Sequence, residues 1–155
     1  HRKGYSENWI NQRLKSIEVR KELTDEWERR GIKKGQEYAT LTDIITLGWS
    51  GMITRQYKQY KGLKTESLRD NMTNLELVLN MLAEATTTEI SKERKPRTTA
   101  ANRAVAAQGG RIAGNTRREI EAQTGKRIVS PLTAKQALAE KTAEGIEHPE
   151  ADTTE

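Results

Sequence analysis

The chain has no cysteine, only three prolines and no long apolar run. The absence of cysteine excludes disulfides and thiolate metal sites, which is compatible with a cytoplasmic location. A membrane-spanning helix needs about 20 apolar residues, and a secretory leader needs a basic start followed by an apolar stretch. Neither pattern occurs, so we expect a cytoplasmic protein with no membrane partner and no signal peptide.

Histidine is nearly absent as well, since His1 and His148 lie in the terminal regions. No Ser-His or Cys-His arrangement can therefore form inside a domain. The central segment carries Glu76, Glu84 and Glu89 without His or Asp at ligand spacing, so we predict a solvated helix face rather than a metal site. These observations predict a protein that is not an enzyme and has no cofactor.

What the chain does contain favours helices. Its 155 residues suit one domain, and 34% of them are apolar against 32% charged. Glu, Lys, Arg, Ala, Leu and Gln are abundant, so we predict an all-α fold. Because the first residue is His1 and a helix begins soon after it, we expect the chain to be part of a longer protein.

The positive charge is concentrated in the body of the chain. The net charge is +5, but the segment from Glu140 holds six acids and one base, which leaves 26 bases and 16 acids in residues 1–139. That body has a formal charge of +10. We expect an anionic partner and a disordered acidic C-terminal tail.

Local signals place the first and central helices. Ser6 is typical of an N-cap, and apolar spacing continues from it to Arg30, with an alternative break near Thr24. The central helix, about residues 73–91, opens with a capping box and is apolar on two sides, so we expect it to lie between two neighbours. Weaker signals predict a helix start at Thr40–Asp43, a short helix at 54–61 and another opening at Thr65.

A basic, tyrosine-containing strip precedes the central helix. Lysine and arginine neutralise phosphates and tyrosine rings stack on bases, so the strip is a candidate nucleic-acid surface. The alternative is that the tyrosines pack on the core while the lysines are solvated. The candidate residues are Arg55, Tyr57, Lys58, Tyr60, Lys61 and Lys64.

A second basic group follows the central helix. Arg111, Arg117 and Arg118 are further candidate phosphate contacts, with Lys126 and Arg127 nearby. The alternative is an ordinary exposed helix, because Arg117 and Glu121 have the spacing of an i,i+4 ion pair.

Small residues repeat every four positions at Ala106, Gly110 and Gly114. Each glycine destabilises a helix by about 1 kcal/mol relative to alanine, so close helix packing should offset that cost. The hypotheses are packing against another helix, an interface between copies of the chain, or a flexible joint. The three tryptophans either seal the edges of the core or anchor a partner.

Several segments together resemble a known family. The sequence is similar to the C-terminal region of DNA-damage-inducible protein D and of phage antirepressors that carry an N-terminal BRO domain. The residues that carry the resemblance cover about 38–131: Tyr38, Thr42 and Asp43, "KGLK" at 61–64, "DNM" at 70–72, Thr73, Glu76 and Leu77, "AEATTTE" at 83–89, Gly114, Arg118, Gly125 and Pro131.

The resemblance implies three segments: a linker helix at 1–31 that would join an absent BRO domain, a helical domain at 36–130, and an irregular to disordered acidic tail at 131–155. It also implies a regulator from a phage or mobile element, linked to repressor antagonism or the DNA-damage (SOS) response. The first hypothesis is therefore a module that binds DNA, or a protein bound to DNA, without catalysis. The alternative is an oligomerisation module without affinity for DNA.

Overall fold

The computed structural model describes residues 4–147, and these residues form helices and connecting turns without a strand. The predicted all-α class is confirmed. None of the helices in this range is both long and apolar enough to span a membrane. The helices are α1 (Glu7–Arg29), α2 (Gln36–Ser50), α3 (Thr54–Tyr60), α4 (Asn74–Arg94), α5 (Thr99–Thr124) and α6 (Ala134–Glu147), with one 3₁₀ turn at Arg69–Asn71.

The central helix α4 lies between α1 and α5, as its two apolar sides predict. Its start is fixed by the predicted capping box, in which Thr73 N donates to Glu76 Oε1 and Glu76 N donates to Thr73 Oγ1. The helix continues to Arg94, slightly beyond the predicted end, and Lys95 then adopts a left-handed conformation. Helix α4 also contacts α2, and α2 packs mainly against α5.

Helix α1 is continuous and belongs to the domain. Ser6 caps it as predicted, no break occurs at Thr24, and Gly31 follows its end with φ 83°. Leu23 and Trp27 on α1 are at most 1% exposed. Helix α1 therefore contributes its apolar face to the common core, and its role as a linker to a BRO domain stays a prediction.

Helices α1 and α4 run parallel to each other. Trp9 Nε1 near the start of α1 donates to Met72 O just before α4. At the far end, Ser91 Oγ of α4 donates to Glu26 Oε2 of α1 at 2.7 Å. These contacts hold the two helices in register along their length.

Helices α2 and α5 cross at a glycine contact. A Cβ atom at Gly110 would lie 2.6 Å from the Ile45 carbonyl oxygen of α2 and 3.1 Å from Gly48 Cα. Ala106 and Gly114 on the same face of α5 are buried too. The prediction of close helix packing is confirmed. The prediction of an interface between copies through this face is wrong, because α2 of the same chain occupies it. The alternative of a flexible joint is wrong too, because α5 is continuous here.

The C-terminal segment is more ordered than its composition predicts. Residues 126–133 are irregular as expected, but Ile128 and Val129 are buried in the core. Helix α6 then forms where an irregular to disordered segment was predicted. Its first turn is stabilised by reciprocal bonds, from Thr133 N to Gln136 Oε1 and from Gln136 N to Thr133 Oγ1. The rest of the predicted tail, 148–155, lies outside the described residues.

Two smaller predictions are wrong. Helix α2 begins at Gln36 rather than at Thr40, whose hydroxyl donates to Gln36 O inside the helix. Instead of a helix opening at Thr65, the chain makes only the 3₁₀ turn. Among the tryptophans, Trp49 is fully buried like Trp27, so both are core residues.

Candidate anion-binding cleft

Glu76, the first buried carboxylate of α4, accepts hydrogen bonds from four residues. Lys61 Nζ donates to its Oε1 at 2.7 Å, and Ser130 N donates to Oε2 at 3.0 Å. The Tyr57 hydroxyl also donates to Oε2, and Thr73 N to Oε1 as the capping bond. We call this group the Glu76 cluster.

Two residues of the predicted nucleic-acid surface, Tyr57 and Lys61, are buried in the Glu76 cluster instead. Tyr57 is 0% exposed, and the Lys61 side chain is 0% exposed. Lys61 Nζ also donates to the carbonyl oxygens of Ser130 at 2.9 Å and Leu132 at 2.6 Å, so its three hydrogens all have acceptors. The prediction that Tyr57 stacks on bases and that Lys61 contacts phosphate is therefore wrong.

The electrostatics of the Glu76 cluster follow from its burial. Burial raises the pKa of Tyr57 far above its usual range, and the Glu76 charge raises it further. Burial lowers the pKa of Lys61, and the charge of Glu76 opposes that change. The cluster is thus a buried ion pair that holds the start of α4, helix α3 and the 126–133 segment together.

A second buried carboxylate lies two turns further along α4. Glu84 Oε2 accepts from Arg20 Nη1 at 3.0 Å, and Glu84 Oε1 accepts from Arg69 Nη1 at 3.1 Å. Burial alone would raise the pKa of Glu84, but the two arginines lower it. The prediction of a solvated face is wrong for Glu76 and Glu84, both 0% exposed, while Glu89 is exposed.

A groove of about 610 Å³ opens beside this region, between α2, α3 and the residues that follow α3. Three residues of the predicted basic strip line it: Arg55, Lys58 and Lys64. The only acid in its lining, Asp43, accepts a hydrogen bond from Thr54 N at 3.1 Å. We call this the outer groove; its remaining lining residues are Arg20, Ala39, Thr42, Thr54, Gln59 and Leu63.

A smaller cleft of about 160 Å³ adjoins the outer groove and shares Thr42, Thr54 and Lys58 with it. We call it the inner cleft. Asn80 and Met72 bound it and are at most 2% exposed. Its other lining residues are Thr46, Ser67, Leu68 and Arg69.

The second basic group does not join the outer groove. Arg117 Nε donates to Trp49 O at 2.7 Å and its Nη1 to Glu121 at 2.8 Å, so the i,i+4 alternative is confirmed and Arg117 is not available for phosphate. Arg118 is exposed and donates to Asn115, and Arg111 is exposed. Tyr60 is 37% exposed but does not line the groove either.

Sequence reasoning missed Thr54, Ser67 and Asn80 as lining residues, because they are far apart along the chain. One signal could have found the site. Glu76, Asn80 and Glu84 repeat every four residues on an otherwise apolar helix, which predicts a polar stripe on the face that packs against the core. Such a stripe needs partners, and the partners of Glu84 are Arg20, which lines the outer groove, and Arg69, which lines the inner cleft.

Within residues 4–147 no group of three or more His, Asp or Glu side chains could hold a metal ion. The outer groove offers cations and hydroxyl groups instead. No protein-family model matches the chain, and neither does any curated protein sequence.

Proposed function

We propose that this chain is a non-enzymatic module that binds nucleic acid through the outer groove. The observation that carries the proposal is that Arg55, Lys58 and Lys64 line a concave surface together. The acids nearby are Asp43, which accepts from Thr54 N, and Glu66. The hydrogen bond from Lys64 N and the Lys58 charge lower the pKa of Glu66, and the cations are in excess of the acids. Unpaired cations in a groove are what a phosphate backbone recruits, because their binding releases counterions from the strand.

The groove suits a single strand. Its cationic side chains line a depression between helices, whereas duplex readers place a protruding helix or ribbon in the major groove. We therefore propose single-stranded DNA or RNA as the substrate class.

The resemblance to antirepressors and DNA-damage-inducible protein D supports a biological setting for this activity. We propose that the module works beside a DNA-reading domain in a regulator of phage or mobile-element origin. A DNA-bound protein is the other partner that the resemblance suggests. An oligomerisation module would need Ala106, Gly110 and Gly114 to be accessible, but they are buried on the face of α5 against which α2 packs.

The test is a titration of labelled single-stranded DNA followed by fluorescence anisotropy at several salt concentrations. The double variant Arg55→Glu/Lys64→Glu should weaken binding and reduce the slope of log affinity against log salt by about two. The double variant Lys92→Glu/Arg97→Glu is the matched control, because both residues are exposed, lie outside the groove and change the net charge equally.

Two results would refute the proposal. Equal weakening in the two double variants would mean that only net charge matters. No binding by the unaltered chain at low salt would show that the groove is not a nucleic-acid site.

A further inference from the structure

The inner cleft contains hydrogen-bond donors that the fold does not use. Asn80 is 2% exposed; its Oδ1 accepts from Trp49 Nε1 at 3.1 Å, while its Nδ2 has no acceptor among the described residues. A buried donor without an acceptor is destabilising, and buried polar groups in folded proteins nearly always have a partner. Asn80 therefore indicates a missing acceptor in the cleft.

Three further donors lie around Asn80. Lys58, Thr54 and Ser67 line the same cleft, and in the described chain neither the ammonium group nor either hydroxyl hydrogen is donated to a protein acceptor. Together with Asn80 they place an amide, an ammonium and two hydroxyls around a space of about 160 Å³. One water needs only about 15 Å³ of such space, so a larger group fits.

The acceptors around the cleft are already engaged. Thr42 Oγ1 accepts from Arg20 and donates to Tyr38 O, and the Thr46 hydroxyl donates to Thr42 O. The Glu84 carboxylate is shared by Arg20 and Arg69, which leaves that trio with a net positive charge. A ligand for this cleft should therefore carry negative charge and accept hydrogen bonds without donating many.

The shape of the cleft selects how such a ligand enters. Asn80 and Met72 close its inner side, and Thr42, Thr54 and Lys58 connect it to the outer groove. An internal phosphodiester continues along the strand in both directions and has only two free oxygens, so it can accept from fewer of these donors at once. A phosphomonoester is attached on one side only and has three free oxygens.

We propose that the inner cleft binds a terminal phosphomonoester of a strand whose backbone lies in the outer groove. This inference rests on the proposed nucleic-acid function and adds an end preference to it. Asn80 Nδ2, Lys58 Nζ and the Thr54 and Ser67 hydroxyls donate to the phosphate oxygens, and Arg69 adds positive potential behind them.

The experiment compares oligothymidylates of about ten nucleotides that end in a 5′-phosphate, a 3′-phosphate or only hydroxyl groups. We expect the chain to bind one of the phosphorylated strands about tenfold more tightly than the hydroxyl strand. Asn80→Asp should abolish this preference, because it keeps an oxygen for Trp49 but replaces the donor with a repelling charge. Binding of the hydroxyl strand should be unchanged.

Asn115→Asp is the matched control, since Asn115 is exposed on α5 and outside the cleft. Thermal melting checks the fold of each variant. If Asn80→Asp does not fold, Ser67→Ala takes its place, because Ser67 is exposed and lines the inner cleft but not the outer groove.

The outcomes separate the two proposals. Equal affinity for all three strands would overturn the end preference and leave the groove proposal standing. If no strand binds, the groove proposal fails, and the cleft is tested with inorganic phosphate by following the NMR signals of the Asn80 side-chain amide. A saturable shift that Asn80→Asp removes would support a free phosphate site, and no shift would overturn the inference.

Discussion

The two halves of the polar stripe on α4 differ in how completely their hydrogen bonds are satisfied. At Glu76 the three hydrogens of Lys61 all find acceptors, and the carboxylate receives donors from four residues. One turn later Asn80 keeps an unused donor beside an open cleft. Burial and charge occur in both places, so neither marks a binding site by itself. Unmatched donors next to accessible space are the better indicator.

The largest expected effect is the difference in stability between variants of two nearby lysines, one with all its hydrogen bonds satisfied and one without a partner. Lys61→Met should lower the free energy of unfolding by about 3–5 kcal/mol, because the Glu76 charge stays buried without its counter-ion. Lys58→Met should change it by no more than about 0.5 kcal/mol, since Lys58 has no protein partner in the described residues. Urea unfolding at pH 7 measures both. Equal destabilisation of the two variants would contradict the distinction.

A second pair of neighbours extends the comparison to the other basic group. Arg117→Met should cost about 1–3 kcal/mol, because it removes the donors of the Trp49 carbonyl and of Glu121. Arg118→Met should cost less than about 0.5 kcal/mol, because Arg118 is exposed. Thermal or urea unfolding is the measurement, and a larger loss for Arg118→Met would show that the assignments are reversed.

A smaller effect is the loss of stability that Glu84 should cause as the pH falls. Its folded-state pKa lies below the ordinary value of 4.5, so its stabilising contribution is complete above pH 4.5. As the pH falls below 4.5 the unfolded chain takes up the proton first, and stability decreases until the folded-state pKa is passed. Each unit of pKa depression corresponds to about 1.4 kcal/mol.

Urea midpoints between pH 7 and pH 3 measure this dependence. Glu84→Gln should flatten the acid limb, whereas Glu89→Gln, at an exposed position of the same helix, should leave it unchanged. An equally steep limb in Glu84→Gln would assign the acid sensitivity to other carboxylates.

The parts of the fold that short-range chemistry determines could be predicted from the sequence. The capping box at Thr73 and the end of α5 at Gly125, where φ is 73°, depend on residues within one turn. The start of α2 could not be predicted, because its N-cap is Gly35, which makes no side-chain bond. The tolerance of α5 for internal glycines correctly indicated close packing, although not which helix would pack there.

The site was predicted less completely than the fold. Helical spacing places Tyr57 and Lys61 on one face with Lys64, but it cannot tell which part of that face is covered. The cover comes from Glu76 and from the segment near Ser130, which are 15 and 69 residues away from Lys61. The inner cleft likewise combines side chains from positions that only tertiary packing brings together.

The bonds between Lys61 and the carbonyls of Ser130 and Leu132 have a consequence for synthesis on the ribosome. These partners follow Lys61 by 69 and 71 residues. At about 5–20 residues per second, a nascent chain waits roughly 3–14 s between making the ammonium group and making its last two acceptors. During that interval the ion pair with Glu76 has no cover, so the earlier helices cannot settle into their final arrangement. The domain therefore completes its folding only when the segment after α5 has emerged, and a chain that stops at Gly125 is an unfinished domain rather than a minimal one.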